Sequence, residues 1–270
     1  MKTEIRSRGV LRLTPCSYGL SKLSFRGPMR PTEGRYIACL GGFETFAKYV
    51  AQPYPDLIET AIGEVCVNLG YQSAGPDVFV NDSAVGSLCH DAAAVVIQLV
   101  GAINLNNSFY KVHPRHNDRF IAPTADLVAL YPEIDFAEIA FTGHLIRRLQ
   151  SVDEGRFALV REHLQVTWQR RMRRLVKLAS GPVILLWFSN RTPGKGSDSN
   201  DPAFVTRAMV EHLRPHVADV VEVTGQRGDA KGMCFEPLDA VSAAEMLSVQ
   251  SHLAAAKALR TPLVHAMSEQ

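Results

Sequence analysis

Residues able to do chemistry gather behind three apolar runs. The first run, Tyr36-Ile37-Ala38-Cys39-Leu40, ends at Gly41-Gly42 and is followed by Phe43-Glu44-Thr45. Paired glycines let backbone approach a ligand, and a helix start beside them offers N–H donors to a developing oxyanion. Thr45 carries a hydroxyl, which becomes a nucleophile only when a base takes its proton. Glu44 carries a carboxylate that could instead act as a base on water. The second run, Val65-Cys66-Val67-Asn68-Leu69, ends at Gly70, and the third, Ala94 to Val100, leads through Gly101 to Asn104. Gly70 and Asn104 would add two more donors to the same site. His144, in Phe141-Thr142-Gly143-His144-Leu145, sits on a helical pattern and is the candidate base. The same glycines also suit a plain strand-to-helix turn, with Glu44 and Thr45 capping or lining the helix start.

A second set of groups lies in the polar stretch Asn104 to Pro123, read as a long loop: Tyr110, His113, Arg115, His116, Asn117, Asp118 and Arg119. Arg115 and Arg119 could hold a carboxylate, phosphate or sulfate through bidentate contacts. The competing reading is a loop pinned by its own network, with Asp118 pairing one of the arginines. His113, His116 and Asp118 are chemically suited to a metal, but no helix sets their spacing and Arg115 stands between them, so no metal is assigned.

These groups have to be positioned by strands and helices. Near-continuous apolar runs at Tyr36–Leu40, Val65–Leu69, Ala94–Val100 and Val183–Phe188 read as strands buried on both faces, with Val220–Val223 as a fifth. Helices alternate with them. Asp56–Ile62 has Pro55 in its first turn and Gly63 at its end. Asp82 could cap a helix running to about His90. Helical patterns cover 136–150 and 154–178, the second with Leu159, Val160, Leu164, Val166, Trp168, Met172, Leu175 and Val176 recurring every three to four residues and its arginines facing solvent. Phe204–Leu213 reads as a helix capped by Asp201, Met233-Cys234-Phe235 as an edge segment, and 243–259 as one or two final helices. Residues 189–201, rich in Gly, Ser and Asn, read as a flexible loop or a lid. Strands alternating with helices imply one three-layer α/β domain, flavodoxin-like, with a parallel sheet flanked by helices. The expected organisation is an N-terminal arm over 1–35 and a single domain over 36–270.

Composition excludes several functions. The chain has 270 residues, 46% hydrophobic and 21% charged, with a formal net charge of +2. That balance does not favour a nucleic-acid partner. No apolar run approaches a membrane span, and the charged start Met1–Arg8 leads to no long apolar region, so no membrane partner and a cytoplasmic location are expected. The five cysteines include no CxxC pair, and Cys39 and Cys66 fall inside strands as small hydrophobes. No GxGxxG or P-loop follows a strand, so no nucleotide cofactor is expected.

The three glycine edges resemble the blocks of the SGNH, or GDSL-type, hydrolases. In that superfamily a first strand ends in Gly-Asp-Ser, a second in Asn-x-Gly and a third in Gly-x-Asn-Asp. Here Ile37 to Gly42 is similar to the first, Asn68-Leu69-Gly70 to the second, and Gly101-Ala102-Ile103-Asn104 to the third. The resemblance covers about Tyr36 to Asn104 and implies an SGNH-like fold, an oxyanion hole that includes Gly70 and Asn104, and hydrolysis or acyl transfer on an ester of a glycan or small metabolite. The chain departs from the pattern at the nucleophile, where Gly42-Phe43 replaces Asp-Ser. It departs at the late Asp-x-x-His, where His252 has no Asp three residues before it. An SGNH-like hydrolase with a non-standard site is therefore one expectation. A catalytically inactive relative that binds an anionic small molecule is the other.

Overall fold

The computed structural model describes residues 9–194 and 202–268. Seven strands and ten helices follow along the described chain: β1 (Tyr36–Gly41), α1 (Phe43–Phe46), α2 (Tyr54–Ile62), β2 (Val65–Gly70), α3 (Pro76–Val80), α4 (Ser83–Asp91), β3 (Ala94–Gln98), β4 (Tyr110–Val112), β5 (Phe120–Pro123), α5 (Ala125–Leu130), α6 (Thr142–Val152), α7 (Glu154–Val176), β6 (Val183–Ser189), α8 (Arg207–Leu213), β7 (Asp219–Thr224), α9 (Ala240–Ala244) and α10 (Val249–Ser268). Five strands form a sheet in the order β2-β1-β3-β6-β7, and every neighbouring pair is parallel. Counting only these five, the order is 2-1-3-4-5, the doubly wound flavodoxin-like arrangement, whose topological switch point lies between β1 and β3.

The apolar runs are continuous because both sheet faces are covered. Ile37, Cys39, Cys66, Ala94, Val96, Ile184 and Leu186 pack on one side with Tyr54 and Ile58 of α2 and Ala255, Leu259 and Leu263 of α10. Their alternates Ala38, Leu40, Val67, Val95, Ile97 and Leu185 pack on the other with Leu164, Trp168 and Met172 of α7 and Met209 and Leu213 of α8. Tyr18, Leu23 and Phe25, from the segment before β1, join that second core.

Several boundaries differ from the sequence reading. On α7, Leu159 and Val166 are exposed rather than buried, because the inward stripe passes through Phe157, Val160, Leu164, Trp168 and Met172. One of its arginines is not on the solvent face: Arg171 pairs with the buried Asp77 at 2.6 Å. The 136–150 helix starts only at Thr142, after a single 3-10 turn. The helix expected from Phe204 begins at Arg207, capped by Thr206 Oγ1, which accepts from Met209 N at 3.1 Å. Phe204 itself has φ +59°, which a right-handed helix does not admit. Asp201 lies outside the described residues, as does most of the 189–201 stretch read as a flexible loop or a lid. Residues 233–235 form no strand; Cys234 N instead donates to Tyr49 O at 2.8 Å. The stretch Asn104–Pro123 is not one loop, for β4 and β5 make an antiparallel hairpin within it. Asp82 does cap α4, accepting from Val85 N at 3.0 Å, and Gly63 ends α2 with φ +84°. No helix among the described residues is long and apolar enough to cross a membrane.

His252 lies within α10 and is fully buried, stacked on Tyr54 and edge-on to Phe188. Its Nδ1 accepts from Tyr54 N at 3.3 Å, while Nε2 is buried with no hydrogen-bond partner. Burial, helped by the Arg26 charge, pushes its pKa down to about 3. The unfolded chain therefore binds this proton more readily than the folded one. The histidine's contribution to stability is complete above about pH 6.5 and drains away as pH falls towards 3. By pH 4.5 the loss is roughly 2–3 kcal/mol. His252→Gln stays neutral throughout. Urea unfolding from pH 8 to 4.5 is expected to show wild type losing about that much more stability than the variant, and parallel curves would show that the ring takes up its proton in the folded state.

Candidate functional site

At the carboxyl ends of β1 and β3 the sheet opens into a cleft of about 420 Å³. It is lined by Gly42, Phe43 and Glu44 after β1, Ser73 and Ala74 after β2, Gln98, Leu99, Val100 and Asn104 at and after the end of β3, Phe188 of β6, Pro202, and Arg227, Ser242, Glu245 and Met246 from the chain after β7. The position is the one the topology dictates, since strand order reverses here and the crossovers leave opposite faces of the sheet.

The turn from β1 into α1 is held by two amide side chains. Gln98, the last residue of β3, accepts through Oε1 from Gly42 N at 3.1 Å, Thr45 N at 3.0 Å and Thr45 Oγ1 at 2.5 Å. Asn68 of β2 donates to Thr45 O at 2.8 Å and accepts from Gly70 N at 2.9 Å. The glycines exist for this packing. A Cβ on Gly41 would stand 2.1 Å from Thr45 Oγ1 and 2.5 Å from Gln98 Oε1, and one on Gly70 would stand 2.3 Å from Phe46 N. The N–H groups of Gly42, Thr45 and Gly70 are thus spoken for by the protein's own amides.

Glu44 is buried at the cleft wall. Leu247 N donates to its carboxylate at 3.1 Å, and the Arg227 guanidinium stands 3.5 Å away. Arg227 Nε is itself buried with no hydrogen-bond partner in the structure. Phe43, in the position where the resembled superfamily keeps its serine, is 37% exposed and borders the cleft. Asn104 also lines it, its Oδ1 accepting from Thr142 Oγ1 at 2.6 Å.

Of the residues singled out from sequence, the cleft gathers Gly42, Glu44 and Asn104. Thr45 lies behind the wall, fully buried, its hydroxyl shared between Gln98 and Tyr54 OH at 3.0 Å, with no histidine on it. Gly41 and Gly70 are packing positions. His144 is exposed on α6 and does not line the cleft. The 110–119 set does not converge there either. Tyr110 is fully buried and donates to Ile103 O at 2.7 Å. Asn117 is fully buried, accepting from Gly75 N and donating to His113 O. His113 Nδ1 accepts from His116 N and Arg115 N, so the imidazole closes the hairpin turn. Arg115, His116 and Arg119 are exposed and Asp118 half-buried. This is the self-pinned reading of the loop, although the pinning comes from Asn117 and His113 and not from an ion pair of Asp118. Among the described residues, no group of three or more His, Cys, Asp and Glu side chains is placed to hold a metal ion.

The model of one protein family matches residues 1–268, described as a domain of unknown function, DUF6473. The chain belongs to the DUF6473 family. A comparison with curated proteins finds no match. Among solved structures, the DUF6473 chain is similar to a carbohydrate esterase family 2 enzyme plus carbohydrate-binding domain from Corynascus thermopiles (Myceliophthora fergusii), at 14% identity and a TM-score of 0.48, over 91% of this chain and 70% of that one. That likeness bears on neither substrate nor mechanism.

The cleft residues that sequence reading passed over are Gln98, Phe188, Arg227, Ser242, Glu245 and Met246. Two had a signal: Gln98 is the one polar residue in an apolar run, and Arg227 stands in Gly225-Gln226-Arg227-Gly228 directly after a strand. Replacing Gln98 by Ala removes the acceptor of three buried donors at once and orphans two of them, the Gly42 and Thr45 N–H groups. Urea unfolding of Gln98→Ala is expected to show a loss of roughly 2–4 kcal/mol, and a loss within about 0.5 kcal/mol, the range of a neutral surface change, would mean the amide does not hold the turn.

Proposed function

We propose that this cleft binds a small, uncharged, polar molecule such as a saccharide or another polyol. The observation that carries this reading is the Glu44–Arg227 pair, set into the cleft wall beside the partly exposed Phe43 ring. A carboxylate and a guanidinium side by side offer acceptors and donors at the spacing of neighbouring hydroxyls. An aromatic face supplies apolar contact for the ring carbons. The described lining residues include two carboxylates, Glu44 and Glu245, against one guanidinium, Arg227. Among the described lining residues no surplus positive charge remains for an anion, which argues against the anionic ligand of the second expectation from sequence.

A second reading keeps the SGNH-like hydrolase. Glu44 and Asn104 line the same cleft, so Glu44 could take a proton from water attacking an ester of the bound molecule, with the Asn104 amide near the carbonyl oxygen. This route needs no hydroxyl nucleophile, and it suits a site whose Thr45 is packed away and whose residue 43 is phenylalanine.

Titration calorimetry with a panel of monosaccharides, polyols and their acetates tests both readings. Wild type is expected to bind at least one member. Glu44→Gln and Arg227→Met are each expected to weaken that binding about tenfold or more, the worth of a hydrogen bond to a charged group. Binding unchanged in both variants, or none by wild type, counts against the cleft. Acetate release by wild type that Glu44→Gln abolishes would select the hydrolase reading.

A further inference from the structure

Away from the cleft, a serine and a histidine meet in a way the cleft does not use. Ser108, exposed in the segment leading to β4, has its Oγ 2.6 Å from His163 Nε2 on α7. The Ser108 N–H also points at Nε2, at 3.3 Å, so the ring presents a lone pair there and carries its proton on Nδ1. The imidazole has two further neighbours, one of them on the same nitrogen. Phe109 packs edge-on at 5.3 Å between centroids, and Thr167 Oγ1 lies 3.3 Å from Nε2. The serine backbone is fixed, since Thr124 Oγ1 donates to Ser108 O at 2.5 Å. Partial burial and the Arg170 charge hold the His163 pKa below the usual histidine value, so the ring is neutral at neutral pH and its lone pair is open to a proton.

We propose that Ser108 and His163 form a nucleophile–base dyad that takes an acyl group from activated acyl donors such as aryl esters. The reach is that of a catalytic hydroxyl and its general base. Ser108 Oγ attacks the carbonyl carbon and forms the new C–O bond while its proton passes to His163 Nε2. The phenolate leaves with the electrons of the broken C–O bond and takes that proton or leaves it to solvent. Water then adds to the acyl-serine, His163 takes a proton from it, and the carboxylic acid departs as Ser108 recovers its hydrogen. A group this exposed takes donors that need no binding pocket, which is why the donor class is set by leaving-group quality and not by shape.

The test is p-nitrophenyl acetate with the full chain, read as first-turnover nitrophenol release and by peptide mapping of the acetylated protein. Acetyl is expected on Ser108, and Ser108→Ala and His163→Gln should each slow the release tenfold or more, with circular dichroism unchanged. A useful comparator sits in the same molecule: Ser180 Oγ lies 2.6 Å from His90 Nδ1, without a serine N–H on the same nitrogen. Acetyl spread equally over Ser180 and the lysines overturns the dyad. So does release unchanged in Ser108→Ala, or release that persists there but is lost in Glu44→Gln and so belongs to the cleft.

Discussion

Everything at the cleft depends on one hydrogen-bonding knot. The Gln98 side-chain oxygen, at the end of the central strand β3, accepts from two backbone N–H groups and a hydroxyl of the β1–α1 turn. A four-residue helix has no cooperative stability of its own, so α1 exists because amides from the strands on either side grip it. Asn68 does on the β2 side what Gln98 does on the β3 side. The glycines at 41 and 70 follow from the knot, since any Cβ there would drive into it. The direction in which Glu44 leaves α1 also follows, and with it the carboxylate's place in the cleft wall.

The same knot decides what the site can do. A strand–glycine–helix turn advertises free N–H donors, but here those of Gly42, Thr45 and Gly70 already have acceptors. An anionic intermediate would have to displace the buried Gln98 amide to reach Gly42 N or Thr45 N. What faces the cleft is a different set: two acids, a guanidinium, amides, two serines and aromatic or apolar surface. Such a set orients a polar ligand through a few fixed groups on an otherwise apolar lining, the usual composition of a small-molecule site. Arg227 reaches it from the loop after β7, and Leu247 donates to Glu44 from the turn before α10. The carboxylate thus ties the last third of the chain to the first.

Burial also explains the fate of the polar residues that looked chemical in sequence. Thr45, Asn117 and His252 are fully buried; Thr45 and Asn117 spend their polar atoms on backbone or neighbouring side chains, and His252 accepts from Tyr54 N through Nδ1 while its Nε2 has no partner. A buried polar group left unpaired costs more than a hydrogen bond returns. Polar residues inside a doubly wound fold are therefore more often fasteners than reagents. The hairpin around residues 110–119 is the clearest case, where an imidazole and an amide shape a turn that the sequence displays as a row of ligands.

By itself the sequence determined the sheet. Continuous apolar runs that must be covered on both faces, alternating with helices, admit a parallel α/β architecture and little else, and the strand limits were legible to within a residue or two. Glu44 and Asn104 were legible as cleft residues because each follows a strand within a few residues, Glu44 after β1 and Asn104 after β3 and Gly101. Only the tertiary structure decided which donors remain open, because Gln98 and Asn68 lie dozens of residues from the turn they occupy and no local pattern records that contact. It alone brought Arg227 to Glu44 and Ser108 to His163, pairs that distant helices and loops assemble. The physical reason is one of range. Periodicity and backbone preference are local and survive in a string of letters, while the satisfaction of a buried polar atom is settled by whichever partner the fold delivers.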